Sequence, residues 1–171
     1  MANTKQYRIQ ALDPALHGRE EFTCEESPEL TEFLRKRARK EAEAKASACF
    51  VMVPIDEPAR IAGYYCLSGA AIELSQIPEK LAKKLPHYQE LPVTLLGRLA
   101  RDSAFRGAGI GDLLMLDCLA RALKGTADIG SIGVITDPKD ARAARFYAEF
   151  GFFELSGGRL FLPMKEIKRL L

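Results

Sequence analysis

Two short stretches of this chain hold residue types that can do chemistry. The first is "RGAGIG" (106–111), which follows a strand-like run and opens a helix-like one. Gly107, Gly109 and Gly111 sit where the chain has to turn sharply. A helix N-terminus presents unpaired N–H groups and about half a positive charge. Glycines let backbone approach an anion closely, and Arg106 adds a forked cationic donor. The stretch, with Ala108 and Ile110 between the glycines, therefore reads as a phosphate site able to cradle a pyrophosphate. A glycine-rich helix entry without a ligand is the plain alternative. It is not G-x-x-x-x-G-K-[ST]. It also lacks the last glycine of the dinucleotide fingerprint, and it comes late in the chain. The second stretch is "DARAARFYAEFGF" (140–152), which puts Tyr147 on an amphipathic helix, where a core aromatic is the plain alternative.

Other reactive residues are sparse. Cys24, Cys49, Cys66 and Cys118 lie far apart without C-x-x-C spacing and read as reduced, mostly buried thiols. Cys118 has no nucleophile role in this reading. His17 and His87 fall outside both stretches, and no Cys/His cluster suggests a metal.

The elements that must position these residues are legible in outline. "YRIQAL" (7–12) alternates like a strand. "SPELTEFLRKRARKEAEAKAS" reads as one long helix with Ser27 as N-cap, Pro28 in the first position and Glu29 at the positive end of the dipole. Leu30, Phe33, Leu34, Ala38 and Ala42 form its apolar stripe. "ACFVMV" and "RIAGYYCLSGAAIEL" are strands joined by a turn-rich link. "PEKLAKKL" is a short helix, and "VTLLGRLA" (93–100) is the strand that enters the glycine segment. After that segment Leu113, Leu116, Ala120 and Leu123 recur at helical spacing, with Gly125 as the stop. "SIGVIT" is a short buried strand. Asp137 is the expected cap of the last helix, Pro138 its first residue and Gly151 its stop. "GFFEL" and "RLFLP" close the chain as a strand pair. The order β-α-β-β-α-β-α-β-α-β-β implies an α/β (α+β) fold, a mixed central sheet flanked by helices on both faces, in one domain of residues 1–171.

The 171 residues suit one domain, and 47% hydrophobic with 28% charged residues is the composition of a soluble globular protein. No apolar run approaches the roughly 20 residues of a membrane span. "MANTKQYRIQ" lacks the apolar stretch of a signal peptide, so the chain reads as cytoplasmic, with no membrane partner. A formal net charge of +2 gives no argument for a nucleic-acid partner. Such a partner needs local patches. "RKRARK" supplies Arg35, Lys36, Arg37, Arg39 and Lys40. Lys83 with Lys84, and Lys165, Lys168 and Arg169, form two more clusters. A solvated helix face is the alternative for the first cluster, because Glu41 and Glu43 follow.

"RGAGIG" fits R-x-x-G-x-G after a strand and resembles the acetyl-CoA pyrophosphate loop of the GNAT superfamily of N-acetyltransferases. "DARAARFYAEFGF" is similar to that family's N-x-x-A-x-x-x-Y followed by G-F, through Asp140, Ala143, Tyr147, Gly151 and Phe152. Within the family, "FTCEESPELTEFLRKRA", "LPVTLLGRLARDSAFRGAGIG" and "RLFLPMKEI" resemble segments of the GNAT toxins of bacterial toxin–antitoxin pairs. The resemblance covers roughly residues 20–170 and implies a GNAT fold with acetyl-CoA as co-substrate and no metal. The implied acceptor is the α-amino group of charged tRNA, whose capping blocks translation. The implied restraint is a small ribbon-helix-helix antitoxin with an extended tail, and a homodimer is expected. Backbone at Leu99, Ala100 and Arg101 is then expected to hold the pantetheine arm and polarise the thioester. The loop Arg106, Gly107, Ala108, Gly109, Ile110, Gly111 holds the pyrophosphate, and Asp140, in place of the usual asparagine, meets the CoA arm. Tyr147 protonates the leaving sulfur. Arg35, Arg39 and Lys40 hold tRNA, and Arg98 meets its acceptor end or pairs with a carboxylate. Arg101 stands where the family often has a small apolar residue, and its side-chain direction decides whether it disturbs the cofactor cleft or reaches substrate. A metabolic or protein N-acetyltransferase, and a non-catalytic CoA-binding regulator, remain alternatives.

Overall fold

Near-continuous apolar runs, buried on both faces, pair β2 (Ala48–Pro54) with β3 (Gly63–Glu73) in antiparallel register, Cys49 opposite Cys66 and Val51 opposite Tyr64. The computed structural model describes residues 6–171, so the first five residues of the expected leaderless N-terminus lie outside it. The other strands are β1 (Tyr7–Ala11), β4 (Glu90–Arg101), β5 (Gly133–Thr136), β6 (Phe153–Glu154) and β7 (Leu160–Pro163). They form one seven-stranded sheet in the order β1-β2-β3-β4-β5-β7-β6. The sheet is mixed: β4 and β5 run parallel, while β5 with β7 and β7 with β6 run antiparallel. The helices are α1 (Pro28–Lys36), α2 (Ala38–Glu43), α3 (Glu79–Ala82), α4 (Ile110–Gly125), α5 (Ala141–Glu149) and α6 (Met164–Leu170).

The chain divides into two compact units. One holds the chain up to Ser68 together with Arg98–Cys118, and the other holds Gly69–Gly97 and Leu119–Leu171. In the first unit, neighbouring residues of β3 anchor helices on opposite faces. The Tyr64 hydroxyl donates to the Leu30 carbonyl of α1 at 2.6 Å, and its ring meets Phe22 and Phe33. The Tyr65 hydroxyl donates to Asp117 of α4 at 2.6 Å. Successive strand residues point to opposite faces, so α1 and α4 sandwich this part of the sheet. Gly63 sets how closely α4 sits. A Cβ there would lie 2.8 Å from Leu114, 2.9 Å from Ile110 and 2.9 Å from the Ala100 carbonyl. In the second unit the core is Ile72, Ile77, Leu91, Val93, Ile135, Leu155 and Phe161.

Four local expectations are corrected. The long basic helix is two helices, broken at Arg37, whose φ of −120° leaves the helical range. It ends at Glu43, and Lys45 then takes a left-handed φ of 60°. Ser27 occupies the N-cap position without capping through its side chain. The apolar stripe read on α4 is its outer face: Leu113 and Leu116 are 43% and 39% exposed, and Ala120 is exposed. Leu114, Met115, Cys118, Leu119 and Ala122 are buried. This helix is apolar nearly all round, so periodicity alone cannot choose its buried face, and the contact with Gly63 does. Finally, α5 starts after Asp140 rather than Asp137, which pairs with Arg159 at 2.8 Å. Helix α6, with Ile167 fully buried, was not anticipated.

Candidate active site

The glycine segment is built on a buried carboxylate. Asp102, 2% exposed, follows the last residue of β4. It accepts from the Ala104 N–H at 2.8 Å and the Thr23 N–H at 3.0 Å, and it pairs with Arg60 at 3.3 Å. Its own N–H donates to Ala62, and the Ser103 N–H to Thr23. These bonds fix a 3-10 turn over Ser103–Phe105 and, through it, the start of the loop. Gly107 (φ 76°) and Gly109 (φ 73°) then take left-handed conformations that disfavour other residues. A Cβ at either position would meet nothing within 4 Å, so backbone conformation requires these glycines, and space beside them is open. Gly111 has no such φ and lies inside the first turn of α4. The first α4 N–H beyond the opening turn to find a carbonyl is that of Leu113, on Gly109 at 3.1 Å. The N–H groups of residues 109–112 have no intrahelical acceptor and stand ready for an anion.

Arg106 already holds one. Its Nη2 and Nε lie 2.7 and 3.0 Å from Glu26 Oε1, and Glu25 lies 3.5 Å away. The same Oε1 accepts from Arg101 Nη2 at 2.9 Å. Arg101 therefore points to the segment before α1, beside Arg106. The Glu26 carboxyl is held down to about 2 by its own backbone N–H, by Arg106 and by the Cys24 thiol, with burial opposing. Sequence reading missed Glu26 and Asp102 as site residues. Asp102 had a visible signal, an acid between a strand and an arginine–glycine loop. Glu26 had none, because it lies 80 residues from Arg106.

Leu99, Ala100 and Arg101 are the last residues of β4. The ladder with β5 covers Thr94 and Leu95, and β5 ends at Thr136, whose hydroxyl donates to the Leu96 carbonyl at 2.9 Å. Strand β4 runs on beyond the last residue of β5, so β5 supplies no ladder partner to the backbone at 99–101.

In the second unit, α5 carries Asp140 and Tyr147. Asp140 is the N-cap and accepts from the Ala143 N–H at 2.8 Å, so its carboxylate is engaged within the helix. Tyr147 is 8% exposed, and its ring meets Phe146 and Phe152 at 5.5 and 5.6 Å. Gly151, at φ 98°, reverses the chain after α5 and returns Phe152 to that ring. The G-F pair is thus the support of Tyr147.

The basic residues are placed separately. Arg35 donates to the Phe22 carbonyl at 2.8 Å and to Thr23 Oγ1 at 3.1 Å, bracing the segment before α1. Lys36, Arg37 and Arg39 pair with Glu32, Glu41 and Glu43, each four residues away. Lys40 is exposed and has no ion pair among the described residues. Arg98 stacks 3.6 Å above the Phe33 ring rather than pairing with a carboxylate. None of the four cysteines is in a disulfide and all are buried, and the Cys49 thiol is pushed up by its contact with Cys66 and by burial. Among the described residues, no group of His, Cys, Asp or Glu could hold a metal, and no helix is long and apolar enough to cross a membrane.

Comparison with known proteins gives a consistent picture. Residues 15–152 match the acetyltransferase (GNAT) family. A probable toxin TacT of Sinorhizobium fredii is 31% identical over 183 aligned residues, covering 100% of this chain and 99% of the relative. A tRNA-acetylating toxin of Mycobacterium tuberculosis is 31% identical, covering 84% and 85%. Among solved structures, AtaT complexed with acetyl-methionyl-tRNAfMet is 27% identical with a TM-score of 0.88, covering 96% and 99%. AtaTR bound with acetyl-CoA is 27% identical with a TM-score of 0.83, covering 96% and 97%.

Proposed function

The chain belongs to the acetyltransferase (GNAT) family, and from that premise we propose that it is a toxin moving the acetyl group of acetyl-CoA onto the α-amino group of charged tRNA. The observation that carries cofactor binding is the open first turn of α4, with two left-handed glycines and Arg106 beside it. Those residues fit a pyrophosphate. The acceptor is supported by the relatives, which match the chain over nearly its whole length.

The residues divide the work as follows. The N–H groups of residues 109–112 and the Arg106 guanidinium hold the pyrophosphate. Backbone at Leu99, Ala100 and Arg101 aligns the pantetheine arm, and an N–H there polarises the thioester oxygen. The neutral α-amino nitrogen attacks the carbonyl carbon, the amide bond forms and the C–S bond breaks. Tyr147 gives its phenolic proton to the departing sulfur, and the nitrogen loses a proton to solvent. An aminoacyl ester lowers the basicity of its amine, so no strong base is needed. Asp140 caps α5, and any contact with the CoA arm comes from the face of the carboxylate opposite Ala143.

For the tRNA, Lys40 and Arg39 are the α2 cations assigned to phosphate, Arg39 by exchanging Glu43 for it. Arg35, on α1, braces the segment before that helix, and Arg98 offers its stacked guanidinium to the acceptor end. In this reading both units belong to one catalytic domain, the protein works in the cytoplasm where charged tRNA is found, and it forms a homodimer. A ribbon-helix-helix antitoxin restrains it.

The test is incubation with radiolabelled acetyl-CoA and total charged tRNA. Label that co-purifies with tRNA and leaves as an N-acetyl amino acid on mild alkaline hydrolysis is the expected result. Label found only in small amines or proteins makes the chain a different acetyltransferase, and label nowhere makes it a CoA-binding regulator.

A further inference from the structure

Arg101, Glu26 and Arg106 form an arrangement that pyrophosphate binding alone does not require. Two guanidiniums converge on one carboxylate oxygen, at 2.9 Å from Arg101 Nη2 and 2.7 Å from Arg106 Nη2. The two cations differ in freedom. The Arg106 side chain is 54% exposed, whereas those of Arg101 and Glu26 are 27% and 24% exposed. Arg106 is also flanked by Glu25 and lies one residue before the first left-handed glycine. When a phosphate claims Arg106, the Glu26 carboxylate loses its more exposed partner. That leaves an unbalanced charge in a site only partly open to solvent.

Resting on the pyrophosphate reading above, we propose that Glu26 is the resident anion of this site and that Arg101 is the positioning residue that lets it release Arg106 to the phosphate. With Arg101 fixed to Oε1, Glu26 stays neutralised after Arg106 turns away. Ser103 Oγ and the Cys24 thiol, each 3.5 Å from Oε2, keep the other oxygen hydrogen-bonded. The exchange replaces one carboxylate–guanidinium contact by a phosphate–guanidinium contact and breaks no covalent bond. It also gives Arg101 a role that needs no direct contact with the cofactor.

The experiment is a double-mutant cycle read by calorimetry with two probes, acetyl-CoA and inorganic pyrophosphate. Arg101→Val removes the substitute partner, so Glu26 grips Arg106 and both probes bind about five- to tenfold more weakly. Adding Glu26→Gln removes the grip, and both affinities return to within about twofold of the parent. Arg101→Met, which keeps the aliphatic length, replaces Arg101→Val if the latter melts early. A merely structural role for Arg101 is not rescued by Glu26→Gln, so a loss that persists in the double variant overturns the proposal, as does an Arg101 variant with parental affinities. Arg106→Ala separates the two levels. If it leaves both probes bound as before, the pyrophosphate reading itself fails. If it weakens both while the cycle is flat, only the release mechanism fails.

Discussion

Two helices of this chain, α4 and α5, each follow a strand and carry proposed chemistry, and their first turns are finished in opposite ways. The start of α4 is left open: residues 109–112 lack intrahelical acceptors, two glycines take left-handed φ, and Glu26, the carboxylate on Arg106, is turned to arginines. The start of α5 is closed by Asp140 on the Ala143 N–H, and its reactive group is a side chain further along, seated on Phe152. A glycine-built helix start offers its backbone to a ligand, whereas one capped by a side chain serves as a rigid platform.

The largest expected effect tests the platform. Tyr147→Phe removes only the hydroxyl and leaves the ring on Phe152. Transfer to charged tRNA in single-turnover assays should fall about a hundredfold or more, with acetyl-CoA affinity unchanged. Turnover near that of the parent would make Tyr147 a core ring and remove α5 from the chemistry.

Next comes the open start. Gly109→Glu forces a side chain into φ 73° and puts a carboxylate where an anion should bind. Acetyl-CoA affinity by calorimetry should drop roughly tenfold or more, since the left-handed strain alone is about 1–2 kcal/mol. An unchanged affinity would mean that the open turn of α4 is not the anion site.

The closed start predicts a change in stability. Asp140→Ala should cost about 1 kcal/mol in denaturant unfolding, and Asp140→Asn should recover most of it. Equal stability in all three proteins would erase the contrast between the helices.

The smallest effect concerns acid. The Glu26 carboxyl sits at about 2 against an ordinary 4.5, so the folded state favours its ionised form. Its stabilisation is complete above pH 4.5 and is lost as pH falls toward 2, because protonation then breaks the pairing with the arginines. The site is partly open to solvent, so the contribution should stay below about 1 kcal/mol. Glu26→Gln should flatten the acid limb of the stability curve within that window, and an unaltered limb would remove Glu26 as an acid-sensitive tie.

Much of the fold was legible because its determinants are local. Alternation marked β1, apolar runs on either side of a turn-rich link marked β2 and β3, and the glycine and G-F signals marked the loop and the end of α5. The order of strands and helices follows the sequence reading through β7. The long basic helix was misread because its apolar stripe continues across Arg37, and nothing within one turn announces the break. The buried face of α4 was misread for the opposite reason: apolar residues occupy both faces, so both stripes score.

By itself the sequence determined what a few neighbouring residues can enforce. Glycine takes φ 76° and 73° at positions 107 and 109 without the strain other residues would carry, and a G-F pair can reverse the chain beneath an aromatic ring. Tertiary structure alone decided the pairings. It put Glu26 on Arg106 across 80 residues, turned Arg101 toward that same oxygen, drew Arg35 onto Phe22, and chose Asp140 over Asp137 as the cap. A charge or a hydrogen-bond donor in the sequence carries no address. Its partner is set by which segments the packed sheet and helices bring within about 3 Å of it.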